Sequence, residues 1–444
     1  MMSSELSLWG DFQNGNRQIR DTKSRPRVDA ERERYKREGM SSFIKVVQNY
    51  NNLFYPSTVS SFFSRKGRRT PPPVVVASSS SSMTNKREVW EVSKPGSLSA
   101  GVLRKDVPLS ALEDEDKVRV EVKHIGLNFA DVFTVLGLYG ATPKHETFIP
   151  GLEFAGVCVE EGKGGKEGET SLIGKRVMGV TRFGAFATVV DVPRHQVRVI
   201  PDAWSFSEGA AFIVQSLTVY YGLSALGRIR EGDVCLIHSA SGGCGSQALQ
   251  ICDKVGAKAI AVIGDESKKG FLEKKHGGSL PASAIIVRDR KTFGDQVREA
   301  AQRSYDRSEV DIVLDATLGD FFEGGWNNLS KGRGVYVVYG AADMTPRGGV
   351  KWYNLWNWLV LIKKFLTRPK IDAMELPGEN KTIAGFNLIW MFDKSDLLLS
   401  LLSELENLQL PPPRVGMEFS WEELPKALEA FQSGKTSGKI VIKL

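Results

Sequence analysis

The sequence predicts an α/β protein, a β-rich domain followed by a doubly wound parallel sheet. Three observations predict it. Residues 89–199 form short apolar or alternating runs separated by glycine, proline and charge. From about Ser207 onward, apolar strands alternate with helical stretches at the spacing of right-handed βαβ crossovers. At Leu236–Ala257, "LIHSASGGCGSQALQICDKVGA" sets a glycine cluster after an apolar strand and at the start of a helix.

A chain of 444 residues with 41% apolar content can bury a large core in two domains. It has no run of 18 apolar residues, so no helix is predicted to cross a bilayer. The net charge of +7 is localised. Residues 1–84 hold 14 Lys/Arg against 7 Asp/Glu, leaving 45 of each sign among the chain's 59 basic and 52 acidic residues. The body is therefore neutral, which argues against nucleic acid as a partner. Cys158, Cys235, Cys244 and Cys252 form no CxxC pair and read as reduced, mostly buried thiols.

Residues 1–84 read as a disordered leader. Within it, residues 40–84 carry five basic residues, eleven serines and no acid, the composition of an organelle transit peptide. Met40 reads as the working start and Val76–Ala77 as the cleavage region. The serine bias favours a chloroplast over a mitochondrion; a plain tail on a cytoplasmic protein is the alternative.

In the β-rich domain, 85–209, "VRVEVKHIGLNF", "FAGVCVEEG", "GKRVMGV", "FATVVDV" and "VRVIP" are the strands. In the following domain, "DVCLIHSA", "KAIAVIG", "SAIIVRD", "VDIVLDAT" and "GVYVVYGA" are strands, with helices at "GSQALQICDKVGA", "ESKKGFLEKKHG" and "DQVREAAQRS". The glycine cluster fits A-x-G-x-x-G. Gly242 lets backbone approach a phosphate and Gly245 lets helix pack on strand, with the helix N-terminus facing the pyrophosphate of a dinucleotide. The next strand ends "AVIGDESKKG". Asp265 and Glu266 would suit the ribose of NAD. Gly264 and Lys268, with Lys269 beside it, would suit the extra phosphate of NADP, and the residues alone leave the two open.

"GLNFADVFTVLGLYG", "IPGLEFAG" and "SASGGCG" make residues 88–444 resemble the medium-chain dehydrogenases/reductases, in particular the zinc-free quinone oxidoreductase branch. The stretch "YGAADMTPRGG" with "NWLVLIKKFLTRPKIDAMELPGENKTIAGFNLIW" is similar to a narrower group, the synaptic-vesicle membrane protein (vesicle amine transport protein) subfamily. The resemblance implies a GroES-like catalytic domain at 85–209 and a Rossmann NADP-binding domain at 210–388 with an aromatic insertion at 347–377. Residues 389–444 would return to the catalytic domain. A zinc-dependent relative needs Cys in the "GLNFAD" turn and His before the Glu of "PGLEFAG". Leu127 and Asn128, and Leu152 before Glu153, stand there instead, so no metal is expected.

What the resemblance then implies is hydride transfer from NADPH to a quinone or an α,β-unsaturated carbonyl. Asn128 and Tyr139 are the catalytic candidates. The cofactor contacts are Asn128, Thr218, Gly242, Gly243, Cys244, Gly245, Gly264, Lys268, Tyr339, Gly340 and Lys439, a set that favours NADPH. Phe133 stands where many members carry a tyrosine, so no proton donor is carried over to it. A homodimer through the Rossmann sheet edge is also implied. In 350–370, Trp352, Trp356, Leu359, Ile362 and Phe365 fall on one helical face. That face suits a buried or dimer-interface helix, or an in-plane membrane helix. The second choice supports an alternative of another class: a nucleotide-binding peripheral membrane or interaction protein with little turnover.

Overall fold

Val118, Val120 and Val122 alternate inward along β3 (Lys117–Gly126), and the first sheet is built on this strand. The structure is a computed structural model and describes residues 86–143, 146–164, 170–344, 359, 363–364 and 366–444. The leader, with Met40, and most of the aromatic stretch 350–370 lie outside the described residues.

In the first sheet β3 is flanked on one side by β15 (Lys439–Lys443) and β14 (Val415–Ser420). On the other lie β4 (Glu153–Glu161), β5 (Arg176–Val180) and β7 (Val197–Val199), while β6 (Val189–Pro193) also pairs with β3. A short ribbon of β1 (Lys86–Val92) and β2 (Gly101–Pro108) supplies Val89, Trp90 and Val92 to the same core. The helix α1 (Phe129–Val135) follows β3, and α2 (Phe206–Ala210) leads out of the domain.

The second sheet is parallel throughout, in the order β10-β9-β8-β11-β12-β13. Its strands are β8 (Val234–Ile237), β9 (Lys258–Ile263), β10 (Ile285–Val287), β11 (Ile312–Asp315), β12 (Val335–Val338) and β13 (Thr382–Gly385). Most are continuous apolar runs, because helices cover both faces of the sheet and leave no wet side. Those helices are α3 (Ile213–Tyr220), α4 (Gly243–Val255), α5 (Lys269–His276), α6 (Phe293–Tyr305) and α7 (Phe322–Asn327). The order reverses between β8 and β11, the switch point where such sheets bind ligands beyond their carboxyl ends.

The predicted fold class is the one observed. The final segment is divided more finely than expected. After α8 (Glu375–Glu379) and β13, α9 (Ser395–Asn407) buries Leu398, Leu401, Leu402 and Leu405 in one cluster with Ile213 and Leu217 of α3. Only the chain from Val415 onward joins the first sheet: β15 runs antiparallel to β3, and α10 (Leu424–Gln432) packs on α1.

Candidate active site

The site begins where β8 ends. Gly242 is the extended N-cap of α4, and a Cβ on Gly245 would overlap the Ser239 carbonyl oxygen and lie 2.5 Å from Ala240 Cα. Only glycine lets this helix pack so closely on its strand. At Gly243 a Cβ would meet Oε1 of Gln215, a buried residue of α3 whose Oε1 has no hydrogen-bond partner among the described residues. The first-turn N–H groups of the 13-residue α4 and its positive dipole end face this turn. The turn is tied to the other domain: Gly438 N–H donates to Ser241 O at 3.0 Å, and Gly242 pairs with Gly438 in an isolated parallel bridge.

Immediately after Gly438 comes Lys439, 4% exposed. Its ammonium donates to Glu153 Oε2 and to Asn128 Oδ1, both at 2.7 Å. Glu153 is fully buried, and its other oxygen accepts the Val214 N–H at the start of α3 at 2.8 Å. A buried charge pair stands only when its remaining valences are satisfied, and these bonds do that. Cys244, in the first turn of α4, lies beside the pair. Burial pushes its thiol up to about 11, with Lys439 drawing it down and Glu153 pushing it further up.

Asn128 is therefore placed differently from expectation. Its Nδ2 donates to Gly126 O at 3.2 Å and to Glu153 Oε2 at 3.3 Å, and its Oδ1 accepts from Lys439. The amide expected to reach the acceptor is engaged within the chain and holds the lysine. Its main-chain N–H donates to Asp131 Oδ2 at 2.7 Å, closing the N-terminus of α1. Burial pushes the Asp131 carboxyl up to about 7. No hydrogen bond joins Asn128 to Tyr139 among the described residues.

The Tyr139 phenol donates to Asn387 Oδ1 at 2.7 Å, bridging the first domain to the segment after β13. Burial pushes that phenol up to about 12, so it stays protonated at neutral pH. Thr218 turns its hydroxyl onto Val214 O of its own helix at 2.6 Å. After β12, Tyr339 N–H donates to Asp315 O at 3.0 Å, and a Cβ on Gly340 would lie 2.7 Å from Ala316 O. The Tyr339 phenol is raised by burial, then by Cys244 and Asp315 nearby. Tyr339, Cys244, Lys439, Glu153 and Asn128 thus form a continuous series of neighbours at the seam between the sheets. Phe133 packs edge-on against Phe129 at 5.2 Å.

At the end of β9, Asp265 caps the short turn Glu266–Lys268. Its carboxylate accepts from the Ser267 hydroxyl at 2.5 Å and from the Ser267 N–H at 2.9 Å. These bonds hold the carboxyl below its ordinary range. Lys268 donates to Gly434 O at 2.8 Å, and burial lowers its ammonium. Arg288, just past β10, lies 3.6 Å from where a Gly264 Cβ would stand, its guanidinium 4.4 Å from the Phe321 ring centroid.

Gln215, Arg288, Asn387 and the partnership of Glu153 with Lys439 were not foreseen. A cation closing the third strand, "IIVRDR", and a glutamine three residues before Thr218 were the available signals.

A zinc ion does not fit here. The neighbours of Glu153 are an ammonium, an amide and a backbone N–H, and no group of three or more His, Cys, Asp or Glu gathers anywhere among the described residues. At Gly245 and Gly340 a Cβ would meet the chain's own backbone, so neither position admits a side chain beside the α4 N-terminus or after β12.

Residues 114–202 match the family described as "Alcohol dehydrogenase GroES-like domain", and residues 282–442 the one described as "Zinc-binding dehydrogenase". The chain is 32% identical over 334 residues to the "Synaptic vesicle membrane protein VAT-1 homolog-like" of Mus musculus, covering 74% of this chain and 75% of that one. It is also 32% identical over 333 residues to a "Highly reducing polyketide synthase" of Eupenicillium brefeldianum, covering 74% of this chain but only 13% of that protein. Among solved structures, a human VAT-1 homolog-like protein matches with TM-score 0.63 and 25% identity, covering 81% of this chain and 99% of that one. A mycobacterial protein solved with NADPH matches with TM-score 0.65 and 21% identity, over 80% of this chain and 100% of that one, a likeness of fold. With the fold, the glycine turn and these relatives together, the chain belongs to the medium-chain dehydrogenase/reductase superfamily of oxidoreductases.

Proposed function

We propose that the protein is a metal-independent, NADPH-dependent reductase of quinones or α,β-unsaturated carbonyls. The observation that carries this reading is the turn Gly242–Gly245, glycine at all but Cys244, capped by the Gly438 contact and followed across it by the buried Lys439 ammonium. Such a turn suits a pyrophosphate on backbone N–H groups with a cation alongside. Three features at the end of β9 favour NADPH. Asp265 is turned into its own cap, Arg288 stands at Gly264, and Lys268 ends the same turn with its ammonium on Gly434 O. In support, one mycobacterial protein of this fold was solved with NADPH, and another neighbour is described as the CurK enoyl reductase.

A bound reduced nicotinamide supplies the hydride. The chain supplies position and hydrogen bonds, which suffice for an acceptor whose electrophilic carbon is already conjugated to a carbonyl. Tyr139 keeps its proton; the O–H that it donates to Asn387 Oδ1 in the free protein turns to that carbonyl when the acceptor binds. Asn128 acts through Lys439 rather than on the acceptor.

Titration of the purified protein with both nucleotides tests the cofactor, and tighter NADH binding overturns the NADPH assignment. Following NADPH oxidation with a panel of quinones and enals tests the reaction. Binding without turnover across that panel would instead support the nucleotide-binding interaction protein. We further place the protein in the chloroplast on the composition of residues 40–84, and infer a homodimer through the edge of the second sheet. A fluorescent fusion of residues 1–84 and light scattering of residues 85–444 check these two points.

A further inference from the structure

Glu153 binds three elements at once and holds two of the expected site residues, Asn128 and Lys439. It lies in β4 with no exposure. Oε1 takes the Val214 N–H of α3, while Oε2 takes the Lys439 ammonium from β15 and the Asn128 amide that precedes α1. Among the described residues Lys439 uses two of its three N–H donors, on Glu153 and Asn128. Its chain neighbour Gly438 is bonded to Ser241 in the glycine turn. The carboxylate therefore has two consequences. It keeps a cation in a dry seam, and it fixes where that cation stands relative to the start of α4.

We propose that Glu153 is the positioning residue of the nucleotide site: its carboxylate holds the Lys439 ammonium charged and aimed at the phosphate-binding turn. This rests on the dinucleotide reading above, and its test is chosen to be separable from that reading. Glu153→Gln keeps shape and the acceptor for Val214, but leaves a buried ammonium beside a neutral amide. Burial without a counter-charge favours the free amine. In the variant, the folded state would then bind fewer protons at Lys439 than the unfolded chain, so stability falls as pH falls.

The first measurement uses the full-length protein without nucleotide. Melting temperatures of wild type, Glu153→Gln, Glu153→Asp and Glu153→Gln/Lys439→Met are followed from pH 6 to pH 10. Expected are a lowered Tm in Glu153→Gln that recovers as pH rises, a smaller effect in Glu153→Asp, and loss of the added pH dependence in the double variant. A merely structural glutamate would lower Tm equally at every pH, and that result overturns the proposal. Should Glu153→Gln be insoluble, recovery of soluble double variant supports the pairing, and failure of both overturns it.

The second measurement is NADPH affinity over the same pH range. Glu153→Gln is expected to bind at least tenfold more weakly than wild type, the deficit widening as pH rises. Affinity and pH profile equal to wild type would overturn the proposal. If wild type itself binds neither nucleotide, the dinucleotide reading fails, and the proposal with it as far as the nucleotide is concerned. The melting series still reports whether Glu153 holds the charge of Lys439.

Discussion

Gly245 sits against Ser239 with no room between them: a Cβ at 245 would overlap the Ser239 carbonyl oxygen. Both obstructing groups, Ser239 O and Ala240 Cα, are backbone and cannot rotate away. Gly245→Ala is therefore expected to destabilise the protein by about 1–3 kcal/mol and to abolish nucleotide binding. Gly243→Ala meets only the end of the Gln215 side chain, which can turn aside. It should cost about half as much or less on the same overpacking scale. Urea midpoints of the two variants check the ranking, and equal midpoints would refute it.

Arg288 stands at Gly264 and Lys268 ends the following turn, where the proposed function puts the phosphate that distinguishes NADPH. A charge-assisted hydrogen bond is worth about 1.5–3 kcal/mol. Lys268→Ala and Arg288→Ala are each expected to weaken NADPH binding by roughly tenfold or more, while NADH affinity changes by less than about threefold. Isothermal titration with both nucleotides measures it. Parallel losses for the two would show that neither residue reads the phosphate.

The Tyr139 phenol donates to Asn387, so two residues 248 positions apart share one bond. Tyr139→Phe is expected to lower kcat/KM for an enone by about tenfold with nucleotide affinity unchanged, the scale of one lost hydrogen bond. Asn387→Ala should lower it less, because the phenol remains. Steady-state kinetics decides; a larger effect from Asn387→Ala would move the role to the amide.

Two buried groups give opposite pH slopes. Burial raises the Asp131 carboxyl to about 7 from an ordinary 3.8, so its contribution is present below pH 4 and lost as pH rises through 7. Asp131→Asn should gain stability relative to wild type across that rise. His276 is lowered to about 4, chiefly by burial, so its contribution is present above pH 6.5 and lost as pH falls to 4. His276→Gln should flatten the acid limb. Urea midpoints from pH 4 to pH 8 separate the two, and a His276→Gln curve parallel to wild type would refute the second.

The strand–glycine–helix unit around Gly242 was legible because its determinants are local. An apolar strand, a glycine-rich turn and a helix start lie within about twenty residues. The sequence marks Asn128 as a candidate, and the structure adds that its amide bonds Gly126, Glu153 and Lys439. A side chain's type names the bonds it can make; its neighbours determine which bonds it does make.

By itself, then, the sequence determined the fold class, the order of the two sheets, and a glycine turn between strand and helix. The tertiary structure alone decided that Lys439 meets Glu153 across 286 residues, that Arg288 reaches Gly264, and that α9 joins the core of the second domain. The physical reason is reach. Backbone conformation and capping are settled within a few residues of chain, whereas partnerships between buried charges depend on sheet register and on how two sheets close on one another, which no local pattern encodes.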